Sequence, residues 1–451
     1  WSIILKIRRN MFRLWITIVI LHLLLTVGVV FAEEHDVCKS EQKYSQIWYY
    51  NECDDNEPKI EIKKVYEAKQ KNKNNPWKGW ENGTSNEIPS NAIVTDDKIF
   101  KKYLKKYISF SQIKGKRVDT YFSISKDKNK IKEFDFNLKK DDFVIEQLNE
   151  TALLSYLMYV DGQIVIDEIS PKERFGKTFT NKTKYVSNSV GKSIISYITG
   201  HAICRGHIDG IHSTLNWDIF DNTVYDNAKL IDVLNMASGI HDYYDGENFT
   251  NSKRWPNGHS IQSIMKKELK NSVAGENKYF YANTNTNVVA SYLIYKMGWK
   301  NYKKMLKEIF NDKVGIENNI VMHQQDKSNR GQKTLTYGMF MTRYDYMRIA
   351  VAMLNDWNSN TCEGQYLKDL YENKISKGDE YNPNNSSLNH NNSKYYGGQF
   401  YIGMNGDERP IFIMSGFGGQ NINIDFENNK IISIMSIHEN YDWMKLVNSK
   451  F

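Results

Sequence analysis

The stretch of residues 185–209 carries apolar side chains at the spacing of a buried helix. Ile194, Ile195, Ile198 and Ala202 recur three and four positions apart, and Gly206 supplies a stop after them. This pattern predicts a helix with a serine, Ser189, in its first turn.

Two apolar runs lie upstream of this helix, within residues 153–168, on either side of Asp161 and Gly162. An Asp-Gly pair between apolar runs is a strong signal for a tight hairpin. A short helix over residues 142–147 is expected just before it. The predicted order is therefore a short helix, a hairpin, a loop and the Ser189 helix.

The chain beyond Gly210 changes from a helical pattern to a strand pattern. Helices are predicted at 228–236, 259–271 and 342–354, and a polar loop at 281–287 opens into a further apolar helix. Ser238 and Gly239 are interpreted as a helix stop. Strands are predicted at 395–402, 410–414, 421–425 and 430–438, with a glycine-rich turn at 415–420.

The longest apolar run of the chain lies near its start, over residues 14–31. It follows basic residues, and Val30 near its end and Ala32 just after it are small residues at the positions that a signal peptidase reads. We expect an export signal at 11–32 and a periplasmic or extracellular protein; an uncleaved anchor, with the domain outside, is the alternative. Membrane attachment is expected only through 14–31. Residues 1–10 precede Met11 and are interpreted as a misassigned extension.

Length and charge limit the remaining possibilities. The polar stretch 33–111 is interpreted as an accessory region, and 112–451 as one large domain. The 60 basic and 53 acidic residues are spread along the chain, so the net charge of +7 indicates no nucleic-acid partner.

The four cysteines are divided into two groups. Cys38 and Cys53 lie close together and could close a short disulfide loop in an oxidising compartment, whereas Cys204 and Cys362 are interpreted as small buried apolar residues. Neither a C-x-x-C nor an H-E-x-x-H motif occurs. We predict no metal and no cofactor.

Ser189 is followed three residues later by Lys192. On a helix this spacing puts the ammonium on the same face as the serine hydroxyl, within reach of it. The pair is a nucleophile beside a possible proton acceptor.

The same stretch also contains parts of two other known motifs. Residues 191–193, Gly-Lys-Ser, could end a phosphate-binding loop, but the first glycine of that motif would fall on Val186, so this interpretation fails. A nucleophile elbow around Ser189 would have Ser187 where a tight turn wants glycine, and it stays as an alternative.

Three motifs in order carry a resemblance to a known superfamily: S-V-G-K at Ser189, Y-A-N at Tyr281 and S-G-F-G-G-Q at Ser415. The segments M-A-S-G-I at 236–240 and F-M-T-R-Y-D at 340–345 add to it. Residues 142–438 resemble the serine β-lactamase and penicillin-binding protein superfamily, in its class C-like branch with 6-aminohexanoate-dimer hydrolase and esterase relatives. The implied fold class is α/β of the α+β type. It has a mainly antiparallel sheet flanked by helices and an inserted, mainly helical subdomain.

The resemblance also implies roles for individual residues. Ser189 would be the nucleophile, activated jointly by Lys192 and Tyr281, with Tyr281 as the general base. Asn283 would hydrogen-bond Lys192 and the substrate. The backbone N–H groups of Ser189 and Phe417 would form the oxyanion hole, the latter within the segment Ser415, Gly416 and Phe417.

One position departs from the pattern of this superfamily. The third motif of β-lactamases and D,D-peptidases begins with a cation that helps bind a substrate carboxylate, whereas Met414 stands there in this chain. Arg409 or another cation would have to replace it. We therefore predict an exported serine hydrolase acting through an acyl-enzyme on a small ester or amide. The alternatives are a β-lactamase or D,D-peptidase, and a non-catalytic envelope binding protein on the same fold.

Overall fold

The computed structural model describes residues 121–151, 153–172, 179–240, 261–324, 335–381, 392–416, 419–436 and 443–451. All of them belong to one compact unit, Pro76–Phe451. The predictions for the leader or anchor, the accessory region and the pair Cys38 and Cys53 concern residues outside the described ones. They stay predictions.

The described strands, in chain order, are β1 (Tyr121–Ile124), β2 (Asp135–Phe136), β3 (Leu153–Val160), β4 (Gln163–Ile169), β5 (Lys184–Val186), β6 (Ile320–Gln324), β7 (Leu335–Thr342), β8 (Ile375–Ser376), β9 (Ser393–Gly397), β10 (Phe400–Met404), β11 (Ile411–Gly416), β12 (Gln420–Asp425) and β13 (Lys430–Ser436). The described helices are α1 (Asp142–Glu150), α2 (Val190–Cys204), α3 (Leu230–Leu234), α4 (Ile261–Lys267), α5 (Asn283–Glu308), α6 (Arg343–Ser359), α7 (Cys362–Glu372) and α8 (Met444–Asn448).

Nine of these strands form one large sheet in the order β2-β4-β3-β13-β12-β11-β10-β9-β8. All described neighbours are antiparallel except β2 and β4. Strands from before Ser189 therefore lie beside strands from the end of the chain. The alternative of an α/β-hydrolase nucleophile elbow is wrong. In that fold the nucleophilic serine follows a strand of a mainly parallel sheet, whereas here the strand before Ser189, β5, pairs antiparallel with β7.

The predicted hairpin is confirmed as β3 and β4, which pair antiparallel. Asp161 and Gly162 form its turn with φ of 46° and 97°. Two consecutive left-handed residues match the twist of the flanking strands, which is why Asp-Gly is favoured there.

A second sheet in the described part of the chain was not predicted. It has the order β1-β6-β7-β5 and is antiparallel throughout. Tyr185 and Val186, which the apolar pattern assigned to the start of the central helix, belong to β5 and pair with Met341 and Phe340 of β7. The helix itself begins later, at Val190.

The central helix α2 is buried over most of its length. It packs against α5, α7, β7, β11 and β12, so it lies between the large sheet and the helical part of the molecule. The predicted helix at 228–236 is shorter, Leu230–Leu234, because Met236 takes a left-handed φ of 59°. Gly239, at the predicted helix stop, has a left-handed φ of 74°.

The single strand predicted over 395–402 is wrong, since a hairpin of β9 and β10 occupies this stretch. Gly398 and Gln399 form its turn with φ of 57° and 72°. A Cβ on Gly398 would lie 2.2 Å from a methyl carbon of Leu370, so α7 packs directly on the turn. The glycine-rich turn expected at 415–420 is also shorter, because Ser415 and Gly416 end β11 and Gln420 begins β12.

The interpretation of Cys204 and Cys362 as separate apolar residues is wrong. They form a disulfide with an S–S distance of 2.06 Å and Cα atoms 5.7 Å apart. Cys204 is the last residue of α2 and Cys362 the first of α7, so the bond joins two packed helices. Their separation of 158 residues gives the sequence no local sign of this pairing.

Candidate active site

The turn before α2 is held to strand β7 by Ser187. Its Oγ donates to the carbonyl oxygen of Tyr337 at 3.2 Å and accepts from the N–H of Met339 at 3.0 Å. Its own N–H donates to the carbonyl oxygen of Met339 at 2.8 Å. Asn188 follows with a left-handed φ of 45°, which turns the chain sharply into the helix. The turn therefore fixes where Ser189 emerges.

Ser189 occupies the position just before the first residue of α2, and its hydroxyl does not cap the helix. Instead its Oγ accepts a hydrogen bond from Nζ of Lys192 at 2.9 Å. The structure thus brings together the two side chains that the sequence spacing put on one face.

Lys192 is 1% exposed, and two tyrosine rings surround its ammonium. Nζ lies 3.4 Å from the centroid of the Tyr337 ring and 5.1 Å from that of Tyr281. Cation–π contacts at such distances favour the charged form of a lysine. Tyr337 could not be identified from the sequence, because it lies in none of the three motifs.

Tyr281 lies in the loop just before α5, where two further tyrosines of the β9–β10 hairpin contact its ring. Its centroid lies 6.1 Å from that of Tyr396, edge to face, and 6.3 Å from that of Tyr401, stacked. Burial raises the pKa of Tyr396 well above its usual value, and the neighbouring Tyr281 raises it further. Tyr396 therefore stays protonated and packs against Tyr281 rather than competing with it as a base.

The loop that carries Tyr281 is tied to the M-A-S-G-I segment. The N–H of Phe280 donates to the carbonyl oxygen of Met236 at 2.8 Å. Oδ1 of Asn285 accepts from Ser238 Oγ at 2.8 Å and from Tyr225 Oη at 2.7 Å. The segment 236–240 therefore holds the Tyr281 loop and the start of α5 in place, a role beyond that of a helix stop.

Asn283 is the first residue of α5, so the helix begins inside the stretch predicted as a polar loop. Its side chain is buried, but Oδ1 has no hydrogen-bond partner within the described part of the chain. The predicted hydrogen bond from Lys192 to this oxygen is therefore not formed. A buried acceptor without a partner is costly, and a substrate N–H or a water would relieve that cost.

The third motif reaches the same turn from the large sheet. A Cβ on Gly416 would lie 2.7 Å from the carbonyl oxygen of Ser187, so the end of β11 touches the turn before Ser189. Nδ2 of Asn188 donates to Oε1 of Gln420 on β12 at 3.2 Å. Phe417 lies outside the described residues, and its predicted oxyanion role stays a prediction.

The position of the missing cation holds a buried side chain. Met414 is fully buried on β11, next to the partly exposed Ser415. Arg409 does not replace the cation, because it forms ion pairs with Asp407 at 2.7 Å and Asp425 at 2.8 Å. Lys377 is another buried cation, with Nζ 5.4 Å from the ring centroid of Tyr401.

Gln399 is a second residue near the site that no motif in the sequence indicates. It is 2% exposed and forms hydrogen bonds to three helices, α2, α5 and α3. Its carbonyl oxygen accepts from Ser193 Oγ on α2 at 2.6 Å, and its Oε1 accepts from Thr286 Oγ1 on α5 at 2.7 Å. Its Nε2 donates to the carbonyl oxygen of Leu234 on α3 at 2.8 Å. The paired glycines before it are a turn signal that could have revealed the hairpin. Its partners are too distant in sequence to be inferred.

Two further observations limit the site. Within the described ranges, no group of three or more His, Cys, Asp or Glu side chains is arranged to hold a metal ion. No helix among these residues is long and apolar enough to cross a bilayer.

Solved structures resemble this chain, whereas family models and curated proteins do not. No protein-family model matches the chain, and no curated protein matches it. Among solved structures, the chain is similar to a Bacillus anthracis protein provisionally named 6-aminohexanoate-dimer hydrolase. The TM-score is 0.56 with 17% identity, over 78% of this chain and 92% of that one.

Two other structures share the same broad likeness. One is a Bacteroides dorei protein provisionally named β-lactamase, with a TM-score of 0.49 and 13% identity over 66% of this chain and 89% of that one. The other is a Bacillus halodurans penicillin-binding protein, with a TM-score of 0.48 and 14% identity over 69% and 99%. These two lower scores add nothing to the fold assignment. The comparison confirms the predicted fold: this chain has the fold of the Bacillus anthracis structure.

Proposed function

We propose that this protein is a serine hydrolase that forms an acyl-enzyme on Ser189 and cleaves an ester or amide bond of a small substrate. The single observation that carries the proposal is the 2.9 Å hydrogen bond from Lys192 Nζ to Ser189 Oγ, in a turn held by Ser187 and beside the ring of Tyr281. A buried lysine beside a helix-start serine is one arrangement that can activate a serine nucleophile without a histidine.

In the proposed acylation step, the phenolate of Tyr281 takes the proton of Ser189 while Oγ bonds to the substrate carbonyl carbon. The carbonyl π electrons move to oxygen, where backbone N–H groups of Ser189 and Phe417 would stabilise the oxyanion. When the tetrahedral intermediate collapses, the bond to the alcohol or amine leaving group breaks. Tyr281 returns its proton to that group. Water then repeats the sequence on the acyl-enzyme and frees Ser189.

The ammonium of Lys192 is consistent with Ser189 as the nucleophile and Tyr281 as the base. As a donor to Ser189 Oγ it leaves the serine proton free to point to another acceptor, and its charge stabilises a phenolate on the neighbouring Tyr281. We assign to Asn283 a contact with the substrate, since its buried Oδ1 is without a partner among the described residues.

Small neutral esters or amides are the proposed substrates. The position that binds a carboxylate in β-lactamases is the buried Met414, and Arg409 is engaged by two carboxylates. Losing a charge-assisted contact weakens binding by about 1.5–3 kcal/mol. Substrates that depend on such an anchor, penicillins included, should therefore be poor ones.

We also propose that the protein is exported. The disulfide between Cys204 and Cys362 supports this, because such bonds persist in oxidising compartments and are rare in the cytosol. Separation of periplasmic and cytosolic fractions of an expressing bacterium, followed by immunodetection, tests it. Protein found only in the cytosol would contradict export and leave the hydrolase proposal intact.

A fluorophosphonate probe tests the reaction directly. Such probes phosphonylate activated serines, so intact-mass analysis should show one adduct on the wild-type protein and none on Ser189→Ala. Ser213→Ala is the matched control, because Ser213 is a partly exposed serine outside the site and its loss should leave labelling unchanged.

The same experiment can reject the proposal. A wild-type protein that is folded by circular dichroism but takes up no probe favours a non-catalytic binding protein on this fold. An adduct that persists in Ser189→Ala would place the reactive group elsewhere.

A further inference from the structure

The ring of Tyr337 lies closer to the Lys192 ammonium than any other described aromatic ring does. Its centroid is 3.4 Å from Nζ, against 5.1 Å for Tyr281. Tyr337 is itself buried on β7. This contact is thus a desolvated cation–π pair, the setting in which such interactions are strongest.

The position of Tyr337 is fixed from both sides. Its carbonyl oxygen accepts from Ser187 Oγ at 3.2 Å, and it faces Gly191, the only residue type that fits there. The ring is therefore carried by the same strand segment that holds the turn before Ser189. Movement of the Tyr337 backbone away from Lys192 would require movement of that turn.

The elements packed around α2 carry further titratable groups. Tyr281 precedes α5, and Tyr396 and Tyr401 of the β9–β10 hairpin pack behind it. Glu363 on α7 is paired with His201, nine residues further along α2, and Asp425 on β12 is paired with Arg409. Burial of Lys192 disfavours its charge, so the π face of Tyr337 acts against desolvation.

We propose that Tyr337 is a positioning residue that keeps Lys192 protonated, so that Lys192 acts as a fixed ammonium and Tyr281 alone exchanges the proton. This inference rests on the proposed function and deepens it. The two amine states differ in role: an ammonium donates to Ser189 Oγ, whereas a neutral amine could take the serine proton itself. The aromatic ring at 337 selects the first.

The aromatic face, not the hydroxyl, is the active part of Tyr337 in this account. Tyr337→Phe retains the face and is the conservative variant. Tyr337→Leu and Tyr337→Met remove it while retaining apolar volume, and two such variants guard against one that fails to fold. Circular dichroism and thermal unfolding establish which of them are folded.

The direct measurement is the titration of Lys192 by NMR. Protein labelled with ¹³C at the lysine ε-carbon is titrated, and the Lys192 signal is identified by its absence in Lys192→Met. We expect the pKa of Lys192 to fall by about 1 to 1.5 in Tyr337→Leu and Tyr337→Met, and to stay near the wild-type value in Tyr337→Phe. The inference is overturned by an unchanged pKa in both apolar variants, or by an equal fall in Tyr337→Phe.

A kinetic readout separates this inference from the proposed function. The rate of fluorophosphonate labelling of Ser189 should decrease at alkaline pH, when Lys192 loses its proton. This decrease should begin at a lower pH in the apolar variants than in the wild type or Tyr337→Phe. An unlabelled wild-type protein whose Lys192 pKa still falls only in the apolar variants rejects the hydrolase and supports the role of Tyr337. Normal labelling with no such pKa difference does the reverse.

Discussion

Gly191 and the carbonyl oxygen of Tyr337 approach each other so closely that no side chain fits between α2 and β7. A Cβ built on Gly191 would lie 1.8 Å from that oxygen and 2.8 Å from Ser187 Oγ. The glycine in S-V-G-K is therefore required by packing, although glycine weakens a helix by about 1 kcal/mol relative to alanine.

Gly191→Ala should therefore destabilise the protein even though alanine is the better helix former. We expect a loss of about 1–3 kcal/mol of unfolding free energy and at least a tenfold slower labelling of Ser189, because the turn must move. Urea denaturation and probe kinetics measure both. Gly210→Ala is the control, since nothing lies within 4 Å of its Cβ position, and it should be near neutral. A stabilised Gly191→Ala would contradict the packing argument.

Tyr281→Phe should abolish most activity without unfolding the protein. The variant keeps the ring that stacks on Tyr401 but loses the proposed base, so kcat/KM should fall by about 10²–10⁴-fold with Tm unchanged. Tyr302→Phe is the matched control. Tyr302 is buried, and its hydroxyl has no hydrogen-bond partner within the described residues. Activity of Tyr281→Phe within tenfold of the wild type would rule out Tyr281 as the base.

Loss of the disulfide should destabilise the protein. In Cys204→Ser/Cys362→Ser the unfolding free energy should fall by about 2–5 kcal/mol, because a bond across 158 residues restricts the unfolded chain strongly. Denaturation of the wild type with and without reductant provides the measurement. Any further loss that reductant causes in the double variant belongs to Cys38 and Cys53. A wild type that reductant leaves unchanged would mean that the bond does not form.

Glu363 should make stability depend on pH in the acid range. Its carboxylate lies 2.9 Å from Nδ1 of His201, and this close contact with the imidazole is the main cause that lowers the pKa of Glu363 to about 2. Because the folded-state pKa lies below the unfolded value, the contribution is fully present above about pH 4.5 and is lost as pH falls through about 2.

Comparison of Glu363→Gln with the wild type tests this dependence. The variant should be less stable by about 1–3 kcal/mol at pH 5 to 6, and the difference should shrink toward pH 2. Guanidinium denaturation at several pH values measures it. Glu308→Gln is a control in an ion pair that is more exposed on both sides. A difference that stays constant down to pH 2 would show that Glu363 acts through packing alone.

Substrate preference tests the meaning of Met414. We expect kcat/KM for p-nitrophenyl acetate or butyrate to exceed that for a chromogenic cephalosporin, whose carboxylate finds no cation at position 414. The missing contact corresponds to roughly a 10- to 150-fold effect. If the cephalosporin is cleaved far faster, another cation binds its carboxylate, and Lys377→Met is the variant to examine first.

Local signals in the sequence predicted the parts of the fold that depend on neighbours. The Asp161-Gly162 pair predicted the β3–β4 hairpin because two left-handed residues are needed there and few residue types provide them. The spacing of Ser189 and Lys192 predicted their contact because helix geometry alone sets it. The start of the central helix was predicted wrongly, because Tyr185 lies in strand β5 and the helix begins at Val190.

Contacts across long stretches of chain could not be predicted in this way. Tyr337 meets Lys192 only because β7 folds back onto α2, and the bond of Cys204 to Cys362 depends on how α7 docks. Neither contact leaves a periodic trace in the sequence. Resemblance to a superfamily made Tyr281 a candidate base but gave no reason to consider Tyr337, since that ring belongs to no shared motif.

The turn before Ser189 also sets the order in which the protein can become reactive. Asn188 is bonded to Gln420, 232 residues later, and Ser193 to the Gln399 turn. At 5–20 residues per second, a ribosome needs roughly 10–50 s to supply the second partner after the first. If Ser189 is the nucleophile we propose, it stays without its full surroundings for all of that time. A nascent chain would therefore carry an inert serine until its last strands have joined the sheet.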